Sequence, residues 1–252
     1  MYETSENYEF TRELEVETHG VDLKFVQYSL GDVSSVVWDA GIVLGKYLDF
    51  QNKNKVLSGK IVIDIGSGTG VAGLFAAALG CLCIYKFILF LVVDKIFVLI
   101  LKLEPVILTD LSSVIPLLEK NINENVDALK GSAIAYVLEW GKLEVKFPVP
   151  DLILVSDCIY YDMSVEKLIP TLFELSNENT EVLISYEDRD VGNKKELLKN
   201  FLDELRKHFH IDIIPRQLHH PDFQSDDIYL LKCKKNYLIN CYLWIVLYLK
   251  IF

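Results

Sequence analysis

The sequence predicts an α/β fold, a mostly parallel sheet with helices on both faces. Three observations predict it. Short apolar runs without alternation, such as the one ending Asp64-Ile65, read as strands buried on both faces, as parallel strands are. Stretches with helical spacing separate most of these runs, the pattern that winds a chain back and forth across one sheet. The run over 60–65 passes directly into Gly66-Ser67-Gly68-Thr69-Gly70, a glycine turn of the kind that joins a buried strand to a helix beside a bound ligand.

In chain order, residues 12–28 alternate around a turn at His19-Gly20 and predict an N-terminal β-hairpin. Val37, Ala40, Leu44 and Leu48 fall at helical spacing and predict a helix over 36–50. The strand 60–65 and an alanine-rich helix over 71–80 flank the glycine turn. Further strands are predicted over 106–110, 132–138, 151–155, 180–187, 209–214 and 228–234. Helices are predicted over 113–125, 164–176 and 193–208. The last two strands have no helix between them and should pair as an antiparallel hairpin. Seven strands with that ending describe the Rossmann-like methyltransferase sheet rather than the nicotinamide-binding one.

Composition narrows the function classes. The 252 residues suffice for one large domain. A hydrophobic content of 51% excludes a disordered chain, and a net charge of −11 disfavours nucleic acid, whose phosphates need a basic footprint. The acidic balance suits a protein substrate that presents lysine. Five cysteines without zinc spacing, and a polar start, lead to an expectation of buried thiols in a reducing compartment, cytoplasmic and also nuclear. His219 and His220 fall in a polar loop with no acid or cysteine at metal or catalytic spacing, so no metal site is expected.

Two apolar segments stand apart, one over about 81–105 and one over 236–252. The first carries Lys86, Asp94 and Lys95, which are costly in a membrane span, and the second is short for one. The expected organisation is a single domain over 1–235, interrupted by the first segment and followed by the second. Both are rich in residues with A/T-rich codons, so one or both read as gene-model or splice-variant additions.

The candidate chemistry sits at strand ends. Asp64 lies two residues before Gly66, where an acid meets the amino-acid end of an S-adenosylmethionine cofactor. Asp110 ends the next strand, where a carboxylate accepts ribose hydroxyls. It lies 42 residues beyond Gly68 against a usual interval of about 20, and the insert accounts for the excess. Trp140 follows the third strand, in position to meet an adenine. Ser156, Asp157 and Tyr160 follow the fourth, beside the methyl group to be transferred. The prolines that nucleic-acid adenine methyltransferases carry there are missing. Trp38, read alone, is more often a core residue.

Together these stretches resemble the seven-strand protein-lysine methyltransferases. The specific elements are Val37-Trp38-Asp39 and Asp157-Cys158-Ile159-Tyr160; the glycine turn is shared by many families. The resemblance implies S-adenosyl-L-methionine as cofactor. It implies that Trp38, Gly66, Ser67, Gly68, Asp110, Trp140 and Ser156 contact the cofactor, while Asp157 and Tyr160 shape the lysine channel. It also implies a protein acceptor, with valosin-containing protein, a hexameric AAA ATPase chaperone, as the partner. Three rival readings are a methyltransferase for another acceptor, an inactive cofactor-binding module and a nicotinamide dehydrogenase.

Overall fold

The fold was read from a computed structural model, which describes residues 8–81, 83–85, 91–93, 96–98, 102–143, 145–161 and 164–236. The chain opens with strands β1 (Glu9–Val16) and β2 (Val21–Tyr28), paired antiparallel. Helix α1 (Asp39–Gln51) follows, then β3 (Val62–Ile65) and α2 (Val71–Ala78). In the insert, three-residue strands β4 (Cys83–Tyr85) and β7 (Lys102–Glu104) pair antiparallel, as do β5 (Leu91–Val93) and β6 (Ile96–Val98). The main sheet resumes with β8 (Val106–Asp110), α3 (Ile115–Glu124), β9 (Ala133–Val137) and β10 (Leu152–Ser156). It ends with α4 (Ile169–Leu175), β11 (Glu181–Glu187), α5 (Lys194–His208), β12 (Phe209–Ile213) and β13 (Ile228–Lys235).

Seven strands make one sheet in the order β12-β13-β11-β10-β3-β8-β9. Strands β11, β10, β3, β8 and β9 run parallel, and β13 is antiparallel to both its neighbours. This is the expected Rossmann-like sheet with its antiparallel ending and N-terminal hairpin. The chain moves from β3 to β8 and β9, then returns to β10 on the other side of β3. That reversal opens a crevice at the carboxyl ends of β3 and β10, where open α/β sheets hold ligands.

Every residue of β3 is buried, and β8 and β10 are buried except at their last residues, as strands covered on both faces must be. One core lies between the sheet and α1, α2 and α3, closed at its edge by the hairpin; the other lies between the sheet and α4 and α5. Helices α1 and α2 pack closely because Gly45 faces Phe75: a Cβ there would come within 2.6 Å of the ring.

The hairpin is held by side-chain amides rather than by a third strand. Asn121 Oδ1 accepts from Val26 N at 2.7 Å, and its Nδ2 donates to Val26 O and to Thr69 O in the glycine turn. Asn125 repeats the pairing with the backbone of Lys24. The free edge of β2 is thereby satisfied, and the hairpin is tied to the turn beneath the crevice.

Two expectations need correction. The helix predicted over 164–176 begins as a π-turn, Ser164–Leu168, and becomes α-helical only at Ile169. Pro170 lacks the N–H that would bond back to Glu166, so the first turn widens. His219 and His220 do not lie in a solvated loop. Both are buried, and His220 Nε2 stands 3.0 Å from the Glu17 carboxylate. Glu17 also holds the buried Lys46 ammonium at 2.8 Å. Distant sequence positions supply these partners, so local spacing could not reveal them.

The side chains of residues 82–104 and the segment 237–252 lie outside the described residues. Among the described residues no helix is long and apolar enough to cross a membrane.

Candidate active site

The glycine turn is built from hydrogen bonds that the strand ends supply. Ser67 N donates to Thr109 O, Ser67 Oγ donates to Asp64 O, and Gly70 N donates to Ser67 O at 2.7 Å. Thr109, at the end of β8, returns its own N–H to Ser67 Oγ and its hydroxyl to Asp64 O. Gly66 is left-handed at φ +67°, and a Cβ there would meet Cys158 Sγ at 2.6 Å and the Trp140 ring at 3.0 Å. Only glycine keeps that wall open.

Asp110 accepts from Gly68 N at 2.8 Å and from Leu111 N at 2.7 Å. Burial raises its pKa, while the two backbone donors oppose the rise. Asp64 is wholly buried one layer deeper. Its Oδ2 accepts from Gly73 N at 2.9 Å, and its Oδ1 has no partner. Burial pushes its carboxyl up to about 7.

At the end of β10 the chain turns sharply. Asp157 holds φ +53°, uncommon for a residue with a side chain. Its N–H donates to Ser185 O, which anchors the turn to β11. Arg189 donates from both terminal nitrogens to the Asp157 carboxylate, at 3.0 and 2.6 Å, and from Nη2 to Glu187 at 2.7 Å. The same guanidinium lies over the Trp38 ring, 5.2 Å from its centroid. Trp38 is 40% exposed and donates Nε1–H to Val33 O. The core role expected of Trp38 from its spacing alone is therefore overturned: it forms a wall of the crevice.

These residues enclose a cleft of about 380 Å³, within the range of small-ligand sites. Trp38, Gly66, Ser67, Gly68, Asp110, Trp140, Ser156, Asp157 and Tyr160 all line it. Asp64 is the exception among the expected site residues, sitting behind the wall. Arg189, Lys194, Lys167, Glu139 and Asp32 line the cleft as well and were not singled out from sequence. Arg189 had one available signal, its place two residues past the strand that ends at Glu187. Cys158 is buried, and burial beside the carboxylates of Asp110 and Asp64 raises its thiol well above the usual range. It is therefore a packing group, not a nucleophile. Burial, then acidic neighbours, likewise raises the Tyr160 phenol, which stays protonated. Among the described residues no cluster suits a metal ion.

The cleft fits S-adenosylmethionine on three counts. Gly66 and Gly68 leave backbone open to close approach, Asp110 offers a carboxylate at the rim, and the Trp140 ring lines the cleft beside Gly66. A sheet of this topology with such a site defines an S-adenosylmethionine-dependent methyltransferase. Two solved structures share the fold at low identity. The TehB-like SAM-dependent methyltransferase from Corynebacterium glutamicum aligns at TM-score 0.50 and 13% identity, covering 80% of this chain and 90% of that one. The T. Thermophilus 16S rRNA N2 G1207 methyltransferase RsmC, solved with AdoMet and guanosine, aligns at TM-score 0.56 and 12% identity, covering 90% and 51%.

The chain belongs to the lysine methyltransferase family, whose profile matches residues 17–208. It is 31% identical over 207 residues to the protein N-lysine methyltransferase METTL21A of Danio rerio, covering 81% of this chain and 78% of that protein. It is 28% identical over 237 residues to EEF1A lysine methyltransferase 3 of Xenopus tropicalis, covering 92% and 85%. The enzyme is thus an S-adenosylmethionine-dependent protein-lysine methyltransferase.

Proposed function

We propose that this enzyme methylates a lysine on a folded protein partner, with valosin-containing protein as the first acceptor to test. The observation that carries the reading of the site is the meeting of Asp157 and Tyr160 with the glycine turn in one cleft. Gly66, Ser67 and Gly68 would hold the cofactor's chain and ribose, Asp110 its ribose hydroxyls, and Trp140 its adenine. Trp38 and Ser156 would close on it from the rim, and Asp64 would act from behind the turn. The names of the relatives support a protein acceptor. One of them names EEF1A, which makes that protein the second acceptor to test.

When bound, S-adenosylmethionine supplies a methyl group on a positively charged sulfur. The protein's part is to position the amine in line and to exclude water. The amine must shed its proton before it attacks, and a desolvated channel disfavours the charged form. Asp157, already held on both oxygens by Arg189, orients without trapping the ammonium as a tight ion pair. Tyr160, kept protonated, offers a hydroxyl and a ring face. On this reading residues 1–235 form one domain, with the insert and tail as additions. The buried free thiols of Cys81, Cys158 and Cys233 support a reducing compartment such as the cytosol or nucleus.

The test is transfer of radiolabelled methyl to the purified hexameric ATPase, to EEF1A and to whole lysate, with Asp157→Ala as control. One labelled band that vanishes with the control supports the reading, and peptide mapping names the lysine. Cofactor binding without transfer to any of the three would overturn it.

A further inference from the structure

Lys194, the first residue of α5, lines the cleft. It is half-buried and shares the cleft with Ser67, Gly68 and Trp140. Its Nζ donates to the backbone carbonyl of Tyr160 and lies 5.9 Å from the centroid of the Tyr161 ring. Among the described residues it forms no ion pair with a carboxylate. Asp157, which lines the same cleft, is occupied on both oxygens by Arg189.

An ammonium that arrives at the end of β10 is left with a carbonyl and an aromatic face. Lys194 already uses both. The other lysine on the cleft, Lys167, lays its stem over Gly141 instead. Lys195, one residue on, is 60% exposed and paired with Asp190 at 2.8 Å.

We propose that Lys194 is an internal acceptor, a self-methylation site used when no protein substrate fills the cleft. The proposal rests on the lysine-transferring reading of this site. In the step, the Lys194 amine first gives up a proton to solvent. Its lone pair then forms the new N–C bond to the methyl carbon as the S–C bond breaks. The electron pair of the broken bond stays on sulfur, which leaves as the neutral thioether S-adenosylhomocysteine.

The experiment uses the full chain, incubated with S-adenosylmethionine and no other protein, then digested for peptide mass spectrometry. Methyl should accumulate on Lys194 over Lys195 by about tenfold or more, the ratio a 1.4 kcal/mol preference produces. The yield per molecule should not change with protein concentration. A second readout needs no turnover. In the cofactor-free protein, acetic anhydride should tag Lys194 more slowly than Lys195, and added S-adenosylhomocysteine should slow Lys194 alone. Methyl on Lys167 or Lys195 in place of Lys194, a concentration-dependent yield, or equal tagging of Lys194 and Lys195 would each overturn the proposal. Transfer to a protein acceptor with none to Lys194 sinks this inference alone. No transfer to any lysine sinks the reading of the site with it.

Discussion

The guanidinium of Arg189 forks onto both carboxylate oxygens of Asp157, so the acid at the methyl-transfer end of the cleft is held in place and half-neutralised before any substrate arrives. Arg189 also carries Glu187, which leaves the trio with one net negative charge. Arg189→Met should expose that charge. Two uncompensated carboxylates would stabilise an incoming ammonium and raise the pH at which it loses its proton. The alkaline shift should appear as a higher midpoint in the pH profile of kcat/KM. The lost charge-assisted bonds should also lower stability by about 1–3 kcal/mol, read by denaturant unfolding. A profile that does not move would show that Arg189 only supports the fold.

Gly66→Ala should be damaging for two separable reasons. The left-handed backbone costs about 1–2 kcal/mol for any side chain, and the new Cβ meets Cys158 Sγ. Removing the sulfur with Cys158→Ala should recover part of the loss of stability in the double variant and leave the backbone cost. Thermal unfolding of the four proteins in that cycle measures the coupling. Strict additivity would place the clash elsewhere.

Asp110→Asn keeps the size and loses the charge that two backbone donors hold. Affinity for S-adenosylhomocysteine should fall about 10- to 100-fold, the equivalent of losing a charge-assisted bond of about 1.5–3 kcal/mol. Titration calorimetry reads this directly. An unchanged affinity would remove Asp110 from the cofactor site.

Asp64 makes the ligand-free protein sensitive to pH. Its folded pKa, about 7, stands above the ordinary carboxylate value of 3.8. A raised folded pKa means the group's contribution is fully present below the unfolded value and is lost as pH rises through the folded one. Wild type should therefore lose stability relative to Asp64→Asn between about pH 4 and pH 7, by as much as about 4 kcal/mol at 1.36 kcal/mol per pKa unit. Urea midpoints at several pH values give the difference curve. A flat difference would mean Asp64 is already ionised or hydrated in the native state.

Glu17→Gln should destabilise the protein through Lys46, whose buried ammonium would lose its only charged partner among the described residues. Because Glu17 is partly open to water, the loss should be about 1–3 kcal/mol, below that of a fully buried pair. Glu17 itself has a depressed pKa, caused first by the Lys46 bond. Its contribution is present above the unfolded carboxylate value and fades as pH falls through the folded one. Circular dichroism melts at neutral and acid pH should show the variant's deficit shrinking in acid.

Much of this architecture was legible because strand ends carry their own punctuation. The buried run before Gly66 and the acid at Asp110 are local patterns, and the lone acid of Asp157 follows directly on a strand. What escaped depends on contacts between distant segments. Asn121 and Asn125 read as ordinary polar positions on a helix, yet they serve as the missing strand for β2. Arg189 sits in a polar stretch with no periodicity and Lys194 at the start of a predicted helix, and neither position shows locally that the fold carries it to the cleft. His220 meets Glu17 across 203 positions of sequence.

The insert leaves the fold at Cys81 and rejoins it before Val106, at the amino end of β8, whereas Asp110 at the other end of the same strand faces the cleft. Five parallel residues separate the two rims. Sequence inserted at the lower rim is therefore remote from the residues that line the cleft. The same position is where a reporter, an affinity tag or a tether could be spliced into this enzyme with the catalytic rim untouched.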